Sequence, residues 1–468
     1  MDELVQLDAL LERLRLKRND LKRKINRFHS PIVRQLPPDV TSTIFEFCLP
    51  ETKHPLSFYT EEDHSIPLSL EAICSYSREI AWSSPSLWSS LVVRVTSKHD
   101  SRITTGIVQE WLARSGQLPL SILVIPFDGR TASALAEIIN QYSTRWSDLS
   151  LSMPRNGYQH FHATDNHAPR PKSIHFHCSA YATNLNFQLT CPRLERAFLS
   201  WFTMDGTDIQ WDNLTHLTLH YMSISDSFII LRKIPRLMFC KVSGTWLSYR
   251  QQNLGALVLI SLRSLQFLIA TPDDRYLNHI TARRLEEFSL PENYSQSMEV
   301  ITSFFRRSAC SLRSFATTFS YFPPHFERLM NFLQSMPSLN SLSILSKTAL
   351  DENAIHVTPE DYDPRNLMQL VAKLLSSQST SPQQGFLPNL KILEYTGVLH
   401  LRPGNFDDLY PLPPTDNAVH GPLHLVKLDL YPITLLPKKH DPLPFELGGA
   451  RRHSECFIPI GRHSSIFY

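Results

Sequence analysis

No run of this 468-residue chain approaches the roughly 18 consecutive apolar residues that a membrane-crossing helix needs, so no membrane is expected among its partners. An excess of one charge is absent too. The 46 Lys and Arg nearly balance the 44 Asp and Glu, for a formal net charge of +2, which argues against a nucleic-acid or polyanion role. Cysteines are few and scattered: Cys48, Cys74, Cys178, Cys191, Cys240, Cys310 and Cys456. No two stand two to four residues apart, so neither a zinc cluster nor a disulfide framework is indicated, and a reducing compartment fits best. The first residues are charged rather than apolar, unlike a secretory signal. The expected setting is therefore intracellular, cytoplasmic or nuclear. The catalytic signatures are missing as well: no P-loop, no dinucleotide glycine fingerprint, no G-x-S-x-G and no HExxH. The expectation is a non-catalytic chain with no cofactor and no metal.

What is present is ordinary globular material, 42% hydrophobic and 10% aromatic, at a length that suggests two or three units. Residues 1–29 place Leu4, Leu7, Leu11, Leu14, Leu21, Ile25 and Phe28 at alternating steps of three and four, with Arg18 as the one charged interruption. That is a coiled-coil-like stripe over four heptads, and it predicts one continuous helix. Eight Lys or Arg lie between Arg13 and Arg27 against one acid, Asp20. They read as a solvated helix face rather than as a nuclear-import or RNA-binding signal. The stripe should be covered by a second copy or by the repeat array that follows later in the chain. Because Arg18 and the surrounding positive charge oppose self-pairing, a monomer or weak dimer is expected, with the helix resting on the segment that follows.

Residues 30–93 read as a three-helix bundle with an insert at 51–67. Pro37 and Pro38 fix φ where the first helix starts, and Asp39 complements its dipole. Val40, Ile44 and Phe47 then fall at helical spacing, with Phe45 and Cys48 widening the stripe. In the second helix Leu70, Ile73, Cys74 and Ile80 repeat that period, while Glu71, Arg78 and Glu79 suit a solvated side. In the short third helix Ser84 is the expected N-cap, Pro85 stands at N1, and Leu87, Trp88 and Leu91 are the anchors. Helices this short bury little among themselves, so apolar surface should be left for a partner.

The ordered fragments LPPDVTSTIFEFCLP and LSLEAICSYSREIAWSSPSLW resemble an F-box of the form common in a large fungal family. The resemblance covers about 60 of the 468 residues. It implies docking onto the Skp-type adaptor and cullin scaffold of a ubiquitin ligase. By the family pattern Leu36, Pro37, Pro38, Val40, Ile44 and Phe45 form the adaptor-binding set, meeting the adaptor or ordering the helix that does. Two positions depart from the pattern: Tyr76-Ser77 replaces a residue followed by Trp, and Thr41 stands where Leu is common.

Beyond Leu91 strand and helix alternate: strands at Leu91–Val95, Leu120–Val124 and from Leu149, helices around Ile107–Leu112 and Leu135–Tyr142. Ser115-Gly116 is a plausible helix C-cap. The pattern L-x-x-L-x-L or a close variant then recurs, at Leu194-Ala197-Leu199, Leu214-Leu217-Leu219, Leu237-Cys240-Val242, Leu265-Leu268, Leu285-Phe288-Leu290, Leu312-Phe315, Leu339-Leu342-Ile344, Leu390-Leu393-Tyr395 and Leu425-Leu428-Leu430. From Leu194 to Leu339 the first leucines stand 20, 23, 28, 20, 27 and 27 residues apart. Four copies carry Pro two residues before the first Leu. This spacing resembles degenerate leucine-rich repeats, which stack into a solenoid and need several copies for stability.

The expected organisation is thus α/β: a helix at 1–29, an F-box-like bundle at 30–93, a repeat solenoid at 94–430 and an irregular tail at 431–468. His160, His162, His167 and Asp165 read as a polar loop rather than a metal site. The expected function is a substrate-recognition subunit of a cullin–RING ligase, binding an unknown protein target through the repeats at residues such as Thr215, His216 and Thr218. The alternative is a repeat scaffold with no ligase connection, the bundle serving only as its cap.

Overall fold

The structure is a computed structural model that describes residues 2–29, 36–49, 65–95, 101–126, 128–163, 170–178, 187–244, 254–269, 275–290, 298–319, 326–346, 386–398, 425–431 and 454–459. Most of the insert at 51–67, Asp165, His167, and all of the tail except Tyr431 and 454–459 lie outside these residues. The chain is mixed α/β, built on mostly parallel sheet. It divides into two compact units, Met1–Leu214 and Thr215–Tyr468. Among the described residues no helix is long and apolar enough to cross a membrane.

The first unit opens with α1, Asp2–His29, a single helix as the heptads predict. Next comes α2, Pro38–Phe47, whose N-cap Pro37 is extended at φ −59° and ψ 150°. Pro38 at N1 lacks an N–H where none is needed, and Asp39 lies in the first turn. The expected second helix is in fact two, α3 at Ile66–Ile73 and α4 at Ser75–Ser83. Cys74 breaks the helix with extended backbone, φ −160° and ψ 173°, and its Sγ accepts from the Ser77 N–H. The thiol thus caps α4 where periodicity alone predicts continuity, and Ile73 is left exposed. A 3-10 turn, Pro85–Trp88, closes the bundle. Ser84 does not cap that turn through its side chain; its Oγ donates to the Ile80 carbonyl at 2.6 Å and meets Ser42 Oγ at 2.7 Å.

Five parallel strands follow side by side: β1 Ser90–Arg94, β2 Leu120–Ile125, β3 Trp146–Met153, β4 Ser173–Cys178 and, after the short β5 Phe187–Leu189, β6 Arg196–Ser200. The short β7, Thr207–Ile209, pairs with β5 alone. Parallel neighbours need crossovers, and the helices α5 (Ser101–Arg114) and α6 (Gly129–Ile139) supply the first two. After α5, Gly116 turns the chain at φ 59°, the left-handed conformation in which a side chain is strained. Leu91, Ile122, Leu149, Ile174 and Ala197 align across the five strands on the core side. Sequence reading leaves β4 unassigned, because SIHFHC alternates apolar residues with histidine instead of showing leucine.

In the second unit each leucine-patterned segment is a strand. These are β8 His216–His220, β9 Phe239–Ser243, β11 Ser264–Ile269, β13 Glu287–Leu290, β14 Ser314–Phe319, β15 Ser341–Ser346, β16 Ile392–Val398 and β17 Leu425–Tyr431. They pair in that order, all parallel, and β18, Ser454–Pro459, adds antiparallel to β17. The two-residue strands β10, Leu257–Val258, and β12, Ile280–Thr281, pair with each other. From β8 to β16 each junction repeats one hydrogen-bond device: the carbonyl after a lead leucine accepts from two successive N–H groups at the next strand's start. Thr215 receives Met238 and Phe239, Arg263 receives Glu286 and Glu287, and Arg313 receives Asn340 and Ser341.

Two frames need correction. The expected Leu265-Leu268 copy is Leu262-Leu265-Phe267: these three are buried and Leu268 faces outward. The lead residues Leu194, Leu214, Leu237, Leu262, Leu285, Leu312 and Leu339 then stand 20, 23, 25, 23, 27 and 27 apart, a more even series than the pattern suggests. At the far end Leu393 pairs with Val426 and Tyr395 with Leu428, two residues off the expected frame of Leu425-Leu428-Leu430. The same apolar spacing is also met at the end of the bundle. Trp88, Leu91 and Val93 occupy its three places, all buried, and the Ser89 carbonyl accepts from the Ser121 N–H at 3.0 Å.

Candidate partner-docking site

α2 divides sharply into two faces. Thr41 and Phe45 point into the bundle and are buried, with Thr41 Oγ1 donating to the Pro37 carbonyl at 3.2 Å. On the other side Pro37 and Pro38 are exposed, Val40 is 40% and Ile44 43% exposed, and Phe47 is 85% exposed. Leu36 is half-buried, and its carbonyl accepts from the Tyr76 hydroxyl at 3.4 Å. Of the six expected docking residues, Pro37, Pro38, Val40 and Ile44 are therefore open to a partner. Leu36 and Phe45 hold the helix in place. Phe47 belongs to the open face as well, a place its helical spacing marks, although it falls outside the expected set.

The opposite side of the bundle is fastened to the first strand–helix unit. Trp88 is fully buried; its Nε1 donates to the Ala81 carbonyl at 2.7 Å, and its ring meets Trp111 edge-on at 4.9 Å. Arg114, in the last turn of α5, lies over two indoles, with Cζ 4.5 Å from the Trp82 ring and 4.7 Å from the Trp88 ring. Its guanidinium also reaches Glu71 at 2.9 Å, and the same Glu71 oxygen accepts from Trp82 Nε1 at 2.6 Å. Glu71, expected on a solvated face, is instead the carboxylate that ties α3 to α5. Ser86 Oγ donates to Glu46, linking the closing turn to α2. Sequence reasoning missed Arg114 altogether, since a basic residue at a helix end ordinarily reads as a dipole partner.

The departures from the F-box pattern have defined places. Ser77, where Trp is usual, is buried, and its Oγ lies 3.0 Å from Cys74 Sγ. Thr41 is buried on the inner face of α2, away from the open one.

In the second unit the strand face opposite the leucine core carries His216, Thr218 and His220 on β8, Lys241 on β9 and Gln266 on β11. His216 is exposed and stacks on Phe239 at 4.5 Å, and its Nδ1 hydrogen-bonds with Thr215 Oγ1 at 2.9 Å. Of the loop histidines, His160 and His162 are described: Asn140 Nδ2 donates to the His160 carbonyl at 2.8 Å and lies 3.2 Å from the His162 ring nitrogen.

Compared with models of known protein families and with curated proteins, the chain finds no match.

Proposed function

We propose that this chain is a non-catalytic substrate receptor of a cullin–RING (SCF-type) ubiquitin ligase. In this reading 36–93 is an F-box that docks a Skp-type adaptor through α2, and the parallel strands are leucine-rich repeats that present a protein target for ubiquitin transfer by other subunits. The observation that carries it is the open face of α2. Pro37, Val40, Ile44 and Phe47 form an apolar surface on a bundle whose opposite side is already occupied by Trp88, Arg114 and Glu71. A cap that merely ended a repeat array needs a polar outer face, and this one is apolar.

A second reading, a repeat scaffold with no ligase connection, draws on the position of Trp88, which makes the bundle the cover of the first strand. Pull-down of adaptor and cullin with the full chain separates the two. Val40→Asp with Ile44→Asp should abolish adaptor retention, since a central apolar anchor typically contributes ~2 kcal/mol, roughly thirtyfold in affinity. Phe45→Ala in the same assay reports on folding of the bundle rather than on contact. Retention unchanged by the double substitution, or no adaptor bound by the intact chain, would sink the receptor reading.

A further inference from the structure

Among the described residues the heptad stripe of α1 is left uncovered. All its described apolar side chains, from Val5 to Ile25, are between 45% and 67% exposed. The expected packing against the bundle is therefore not formed, although a helix of this length is only marginally stable alone. Its charge is strongly polarised along the axis. Residues 2–12 carry four acids and no base; residues 13–27 carry eight bases and one acid. Two ion pairs, Glu12–Arg15 and Asp20–Lys24, both at 2.9 Å, lie within the helix.

We propose that α1 pairs antiparallel with the α1 of a second copy of this chain. A parallel pair would set eight bases beside eight bases and stack Arg18 on Arg18 at a core position, which is the objection to self-pairing drawn from sequence. Reversing one helix removes both problems, because the acidic half of each copy then lies along the basic half of the other. The heptad frame permits this without loss of core. Antiparallel pairs match a with d positions, and the stripe does so in two registers. Centred on the stripe, Leu7 faces Ile25, Leu11 faces Leu21 and Asp8 flanks Lys22. One heptad over, Leu7 faces Arg18, Leu11 faces Leu14 and Asp8 flanks Arg15. In both, Arg18 meets a leucine across the seam and can extend its stem to solvent.

The test uses the full chain. Light scattering should show a dimer, and Leu11→Asp with Leu14→Asp should reduce its association at least tenfold while leaving the thermal transition unchanged. For orientation, in a Cys48→Ser background, Leu7→Cys chains should form mixed disulfides with Ile25→Cys or Arg18→Cys chains. They should not link to themselves, since the two copies of position 7 stand about 16 Å or more apart along the axis in either register. A monomer at the highest attainable concentration overturns the proposal. So does a dimer indifferent to the aspartates, or self-linked Leu7→Cys chains.

Discussion

Trp88 connects two levels of organisation at a single position. It ends the bundle and takes the lead place of the first strand, with its indole N–H satisfied by Ala81 and Arg114 against its face. Removing so large a buried ring typically costs about 3–5 kcal/mol. Trp88→Ala should thus lower the urea midpoint of the full chain markedly, whereas Trp82→Ala, at a half-exposed ring, should lower it far less. Equal effects would contradict the role given to Trp88. Burial has a second residue-level consequence at Cys191 and Cys240, whose thiols are pushed up to about 12 from the ordinary 9.0. Between those values the unfolded chain has ionised and the folded chain has not, so the folded state holds more protons. Stability is full below about pH 9 and falls as pH rises toward 12. Alkaline unfolding curves should show that fall, and Cys240→Ala should flatten it; a fall that Cys240→Ala leaves unaltered would contradict this account.

At the scale of elements, the strands of the second unit were legible because a sheet buried on one side repeats leucine in a fixed frame. The frame itself was less legible. In ISLRSLQFLI both Leu265-Leu268 and Leu262-Leu265-Phe267 fit an apolar alternation, and leucine counting favours the wrong one. Burial resolves it: Phe267 packs edge-on to Tyr276 at 5.7 Å and to Phe288 at 6.2 Å, while Leu268 faces outward. Phe267→Ala should therefore cost about 3–5 kcal/mol and Leu268→Ala within about 0.5 kcal/mol, measured as shifts in the denaturant midpoint. The reverse order would restore the sequence frame. The split between α3 and α4 was illegible for another reason. A cysteine thiol as an N-cap carries no sequence signal, because Cys usually reads as a small buried hydrophobe. At the candidate site, spacing placed Val40 and Ile44 on one stripe but could not say whether that stripe faced the core or a partner. Thr41 and Phe45 decided it by taking the inner side.

At the scale of the whole chain, one hydrogen-bond device recurs between successive leucine-led segments. The proline two places before a lead leucine, noticed in the sequence only as a recurrence, offers its carbonyl to the residue just before the next lead. Asn213 donates to Pro192 at 2.7 Å, Ser261 to Pro235 at 3.2 Å and Asn389 to Pro337 at 2.8 Å. These bonds, with the doubled N–H contacts to Thr215 and its counterparts, tie a strand to its neighbour. Two cuts should then behave very differently. Deleting residues 1–29 removes a helix whose stripe is uncovered, so the remainder should melt at the same temperature. Cutting near Pro235, inside the second unit, separates β8 from β9 and strips Leu217 and Leu219 from Cys240 and Val242. Because each strand pairs with, and packs its core residues beside, the next one, both new ends would present bare core. Separately expressed 1–234 and 235–468 should be insoluble or fail to melt cooperatively, with solubility regained only on co-expression. Two soluble halves, each with its own sharp transition, would mean that stability is held locally rather than passed from strand to strand.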